Sequence, residues 1–270
     1  MTAPRPRRIA AVVLRQLYLL RGSPARVLPL FAWVAVDIVL WGFITRYLDT
    51  LVSSRLGLAT ALLGAVLLWD FFTRVMQGVT MAFLEDVWSR NFLNVFASPL
   101  TVPEYVAGLV TSSVLTSALG LVVMVALAGV AFGLSMLAYG VALAPFLLVL
   151  FLTGIAAGVT AAAVVLRFGP ASEWLVWPIP ALLSPFAGVF YPVATLPGWM
   201  QLVARFLPPS YVFEGVRAMV SGGRVDWAAL VTGGGLAILQ VGLAGWYFSR
   251  THRHCVRSGL LARYSAETVT

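Results

Sequence analysis

Eighteen basic and ten acidic side chains carry all the formal charge of this 270-residue chain, and several stand where charge is costly. Asp37 is isolated in the apolar run "VAVDIVLW". A carboxylate there could line a translocation path, carry a proton, or hydrogen-bond one helix to another. Asp70 and Arg74 are one helical turn apart with the acid first, the favourable order for an ion pair; the plainer alternative has Arg74 snorkel toward head groups. In "EDVWSRNFLNVFASPLTVPE", Asp86, Arg90 and Asn94 recur at four-residue steps, with Trp88, Phe92, Val95 and Phe96 on the opposite arc. That is recognition chemistry: a helix with one greasy and one charged face needs a partner. His252, His254 and Cys255 hold donor atoms a metal could take, but the arginines around them oppose a cation, and no metal site is assigned. The apolar runs contain no histidine or cysteine and only isolated acids, so no acid, base and nucleophile converge and no residue is assigned as catalytic.

The elements that position these side chains are membrane helices. The chain is 60% hydrophobic and 10% charged, with a mean hydropathy of +0.93, too little polar surface for a soluble globule. Apolar runs near the roughly 20 residues needed to cross a bilayer fall at Val27–Leu48, Leu56–Gly78, Tyr105–Phe132, Gly140–Leu166, Trp174–Ala194 and Ala228–Phe248. Six spans return the chain to its starting side. Arg5, Arg7, Arg8, Arg15, Arg21 and Arg26 precede the first run, and Arg250, Arg253, Arg257 and Arg263 follow the last. By the positive-inside rule both termini are cytoplasmic, and the net charge of +8 serves anionic membrane lipids rather than nucleic acid. Ile9 to Leu20 reads as an amphipathic helix at the inner interface with Arg8, Arg15 and Arg21 toward head groups, not as a signal peptide. No separate soluble domain fits, so residues 1–270 form one transmembrane domain.

Every basic residue is arginine. A phosphate-cradling GxxxxGK[ST] loop and a lysine Schiff base are therefore excluded, and any ATP must bind another chain. Asp37 costs about 2.5–3.5 kcal/mol at mid-span against ~0.3–0.6 kcal/mol gained per large apolar residue, so it faces protein or water. Its plainer reading is an acid joining helices. "GVAFG" at Gly129–Gly133 and "GIAAG" at Gly154–Gly158 read as close-packing surfaces. Pro178, Pro180 and Pro185 imply a bent fifth span against a cavity. Beyond it, Trp199, Leu202, Val203 and Phe206 mark a short amphipathic helix stopped by Pro208 and Pro209, and a second runs from about Tyr211 to Val220. Two half-length helices on the outer side read as a re-entrant hairpin.

The segment Gly188-Val-Phe-Tyr-Pro192, with Leu196-Pro197, Trp199, Pro208-Pro209-Ser-Tyr211, Glu214 and Arg217, resembles the end of the membrane subunits of ABC-2 type ABC exporters. Glu85, Arg90, Ser98-Pro99-Leu100 and Glu104 resemble that family's second loop, and "VLRQLYLLRGSP" is similar to its interfacial helix. The resemblance implies an all-α polytopic fold of six transmembrane helices with an N-terminal interfacial helix, a cytoplasmic coupling helix and an outward re-entrant hairpin after span five. It implies that Glu85, Asp86, Arg90 and Asn94 dock on a separate ATP-binding subunit, which holds ATP and Mg, and that a second permease copy or paralogue completes the pathway. This chain itself binds no cofactor under that reading. A proton-coupled secondary transporter using Asp37 and Asp70, or a membrane-embedded transferase acting on lipid-linked substrates, are the alternatives from other classes.

Overall fold

The computed structural model describes residues 6–22, 24–51, 58–89, 94–95, 98–133, 142–222 and 224–261. These are helical almost throughout, and no strand occurs among them. In chain order the helices are α1 (Pro6–Arg21), α2 (Pro24–Leu51), α3 (Leu58–Trp88), α4 (Val102–Phe132), α5 (Ala144–Phe168), α6 (Ile179–Ala187), α7 (Gly198–Ala204), α8 (Pro208–Val220) and α9 (Trp227–Arg257). Among the described residues, Leu62–Trp88 of α3 and the whole of α4, α5 and α9 are long and apolar enough to cross a membrane. The 28-residue α2 stands where the first span was expected.

Helix α3 is the axis of the packing. Phe72, Val75, Met76, Val79 and Phe83 follow helical spacing, and all have no exposed surface. Helix α5 lies against this stripe and against α9, and α4 flanks α3. The close approach of α5 comes from its glycines: a Cβ added at Gly158 would lie 2.6 Å from the Met76 carbonyl oxygen, and one at Gly154 2.8 Å from Val75 Cβ. "GIAAG" packs as its spacing predicts. "GVAFG" does something else, because Gly133 ends α4 in the left-handed region at φ 68 with open space where its Cβ would be.

Several expected boundaries move. Helix α3 continues from the second apolar run through Trp88 without a break, so residues 85–88 are its last turn rather than the start of a separate helix. At 31 residues it is about 46 Å long, well beyond a hydrocarbon core of roughly 30 Å. Helix α9 likewise runs past Phe248 to Arg257. The expected fifth span, Trp174–Ala194, is not one bent helix. A 3-10 segment at Pro170–Leu175 and a turn lead into α6, which has nine residues and ends at Gly188 with φ 63. Proline lacks the N–H that an interior turn would donate but fits a first turn, so Pro178 and Pro180 open a helix instead of kinking one. The same reason applies to Pro208 and Pro209: they begin α8 rather than merely stopping α7.

Helix α1 is also not a simple interfacial helix. It packs along α4, burying Val12, Val13 and Gln16, with Val12 against Gly108. Leu14, Leu17 and Tyr18 remain exposed.

Candidate functional site

Three groups of charged side chains organise the molecule. The first sits where α1 meets the end of α3 and the start of α4. Asp86, in the last turn of α3, is 1% exposed. Its carboxylate takes Arg15 Nη2 at 2.6 Å on Oδ1 and accepts from the Tyr105 hydroxyl at 2.7 Å on Oδ2. Two turns of α1 away, Arg8 reaches Glu104 at 3.3 Å. Glu104 also accepts from the backbone N–H of Thr101 at 2.8 Å and from its hydroxyl at 2.9 Å, closing the N-terminus of α4. Next to Arg15, and one turn before Asp86 on α3, the Gln16 amide donates to the Ala82 carbonyl at 3.1 Å. Arg8 and Arg15 therefore face protein, not head groups, and only Arg21 of that expected trio is exposed.

This arrangement redefines the second-loop residues. Asp86 was expected on an outward arc with Arg90 and Asn94; burial against α1 removes it from that surface. Asn94 is exposed and Glu85 half-buried. Arg90, Phe92 and Phe96 lie outside the described residues. Trp88 is half exposed, and its indole N–H donates to Glu173 at 2.7 Å, tying the end of α3 to the 3-10 segment.

The second group is in the membrane region. Arg74 Nε donates to Asp70 Oδ2 at 2.8 Å, and the two side chains are 12% and 17% exposed. Arg74 folds back along α3 instead of snorkelling, and Gly120 of α4 gives its stem room, Arg74 Cδ lying 3.5 Å from where a Cβ would sit. Asp37 of α2 is within electrostatic reach of both partners. The Asp70–Arg74 pair of α3 and Asp37 of α2 thus influence one another across two helices.

The third group holds the segment between α6 and α7. Glu214 accepts from the Val193 backbone N–H at 2.7 Å and from Arg217 at 2.9 Å. Arg217 Nη2 donates to the carbonyls of Gly188 at 2.7 Å and Tyr191 at 3.1 Å. Trp199, 64% exposed, meets Phe186 edge-on with centroids 6.0 Å apart. Glu214 and Arg217 are clamps on a turn, and Trp199 presents its ring outward.

None of these groups pairs a nucleophile with a base. Among the described residues no three His, Cys, Asp or Glu side chains are placed to hold a metal; Cys255 is buried with its thiol donating to the Leu166 carbonyl at 3.3 Å, while His254 is exposed. The Thr101-x-x-Glu104 cap is a sequence signal that could have been read directly. The Arg15–Asp86 pair, separated by 71 residues, carries no comparable signal.

The model of the family described as ABC-2 type transporter matches residues 9–220, from α1 through α8. No curated protein matches the chain.

Proposed function

Because the chain belongs to the ABC-2 type transporter family and is a multi-pass integral membrane protein, we propose that it is the permease of an ATP-driven exporter. In this reading it has six spans, with α2 the first and the segment around α6 the fifth. Helices α7 and α8 form an outward re-entrant hairpin, and both termini face the cytoplasm from the inner membrane. ATP and Mg bind a separate ATP-binding subunit, and two permease copies, or this chain and a paralogue, enclose the pathway.

The observation that carries this reading is the ion-paired junction of α1, α3 and α4. The segment joining α3 to α4 is where the ATP-binding subunit docks, through Glu85, Arg90 and Asn94. Arg15–Asp86 and Arg8–Glu104 tie that segment's two ends to one helix, so a push on the segment reaches three helices together. Asp86 is thereby a positioning residue for the docking surface rather than part of it. Misplacing a charge at a protein interface costs several kcal/mol. Arg90→Glu should abolish co-purification of the ATP-binding subunit and ATP-driven transport in vesicles, while membrane insertion stays normal. Normal association and transport together would remove the loop as the coupling element.

Topology has its own test. Cysteines introduced at Gly198 and Gly222 should both react with an impermeant thiol reagent added outside intact cells; labelling of only one means that the hairpin crosses. The Asp37, Asp70 and Arg74 group favours a second reading, proton-coupled transport. Asp37→Asn separates the two: loss of pH-gradient-driven uptake with no ATP dependence would support it, and unchanged ATP-driven export would leave Asp37 as an acid joining helices.

A further inference from the structure

We propose that the cavity between α5, α6 and α9 holds an acyl chain of an anionic phospholipid whose head group rests on Arg250 and Arg253. The cavity has a volume of about 500 Å³, and Ala157 and Thr160 of α5, Leu183 of α6, and Leu243, Trp246 and Tyr247 of α9 are among its walls. It exists because α6 is short. With nine residues, packed chiefly on α7 and α8, α6 roofs only part of the groove between α5 and α9. Two of the polar side chains on the walls are bonded elsewhere: Thr153 donates to the Val149 carbonyl at 2.8 Å, and Gln240 to the Phe206 carbonyl at 3.0 Å. A peptide segment would bring backbone N–H and C=O groups into this lining and find few partners, whereas a hydrocarbon chain needs none.

Charge and depth select the rest of the ligand. Trp246, Arg250, Arg253 and Arg257 lie on one stripe of α9 at helical spacing, and all are exposed. The Arg250 guanidinium stacks over the Trp246 ring at 5.7 Å, so the cavity wall continues directly into positive charge. No acid follows Asp226 along α9. From Gln240 on the cavity wall to Arg250 is about 15 Å along the helix, half of a hydrocarbon core of roughly 30 Å. The apolar wall, Gln240 to Tyr247 on α9, takes up about 10 Å of that leaflet depth, and the arginines stand where head groups begin.

The test uses the purified full-length chain in nonionic detergent and reads retained lipid by native mass spectrometry, with dioleoyl phosphatidylglycerol and dioleoyl phosphatidylcholine as probes. Phosphatidylglycerol should be retained preferentially. The double variant Arg250→Gln, Arg253→Gln should bind it about 25-fold more weakly, at roughly fivefold per arginine. Ala157→Phe, which fills the cavity, should release both lipids. On the unmodified chain, dihexanoyl phosphatidylglycerol should fail to compete, because its chains are too short to occupy the wall. Equal retention of the two lipids, or effective competition by the short-chain lipid, overturns the proposal without relying on a variant's folding. Undiminished retention by a normally helical Ala157→Phe chain does the same. No ATP-binding subunit takes part, so failure here leaves the coupling reading untouched.

Discussion

The two ends of the helix bundle use the same side-chain types in different ways. At the end where α1 crosses α3 and α4, Asp86 and Glu104 are 2% exposed at their side chains and paired with arginines 71 and 96 residues away. At the end holding α7 and α8, Glu214 and Arg217 are three residues apart, 44% and 30% exposed, and bond mainly to backbone groups of the turn they hold. One clamp is a tertiary contact between buried carboxylates and partly exposed arginines. The other is local turn chemistry between partly exposed groups. The difference lies in what remains after a partner is lost: an uncompensated buried carboxylate in the first case, a turn that water can re-solvate in the second.

The largest effect should follow Arg15→Met. Stranding a buried charge costs about 3–5 kcal/mol, and the lower end applies because the Tyr105 hydroxyl still donates to Asp86. Thermal unfolding of the detergent-solubilised chain checks this, and adding Asp86→Leu to the same variant should restore much of the loss. If Arg15→Met costs no more than changes at the other end, the contrast between the two clamps fails. Next comes Arg217→Ala, at about 1.5–2 kcal/mol for charged hydrogen bonds at a partly exposed site. Its sharper readout is faster protease nicking between Gly188 and Leu196, with little change at α1. The smallest effect, about 0.5–1 kcal/mol, belongs to Thr101→Ala. That change removes a hydroxyl from the Glu104 cap but leaves the backbone bond and Arg8 in place; measured beside Arg15→Met, it separates local capping from the long-range pair.

The same contrast explains what the sequence could disclose. Local chemistry is readable: the Gly154–Gly158 spacing announces a tight crossing, and Trp199, Glu214 and Arg217 fall on the two short helices that the sequence predicts. Boundaries decided by proline are less legible, since Pro178, Pro180, Pro208 and Pro209 look like breakers until their place at helix starts is known. Partnerships set by packing were not readable at all. Nothing in the spacing of Arg15 and Asp86 shows that packing brings them together across 71 residues.

The crossing of α3 and α5 has a mechanical consequence. With Gly154 and Gly158 seated against Val75 and Met76, sliding one helix along the other would drive side chains into backbone, so shear at this contact is blocked and rigid-body rotation is the motion left. A rod about 46 Å long that pivots near its middle by roughly 10° moves each tip by about 4 Å in opposite directions, and α5 must follow. Displacement applied at Trp88 therefore emerges at the far end of two helices with its direction reversed.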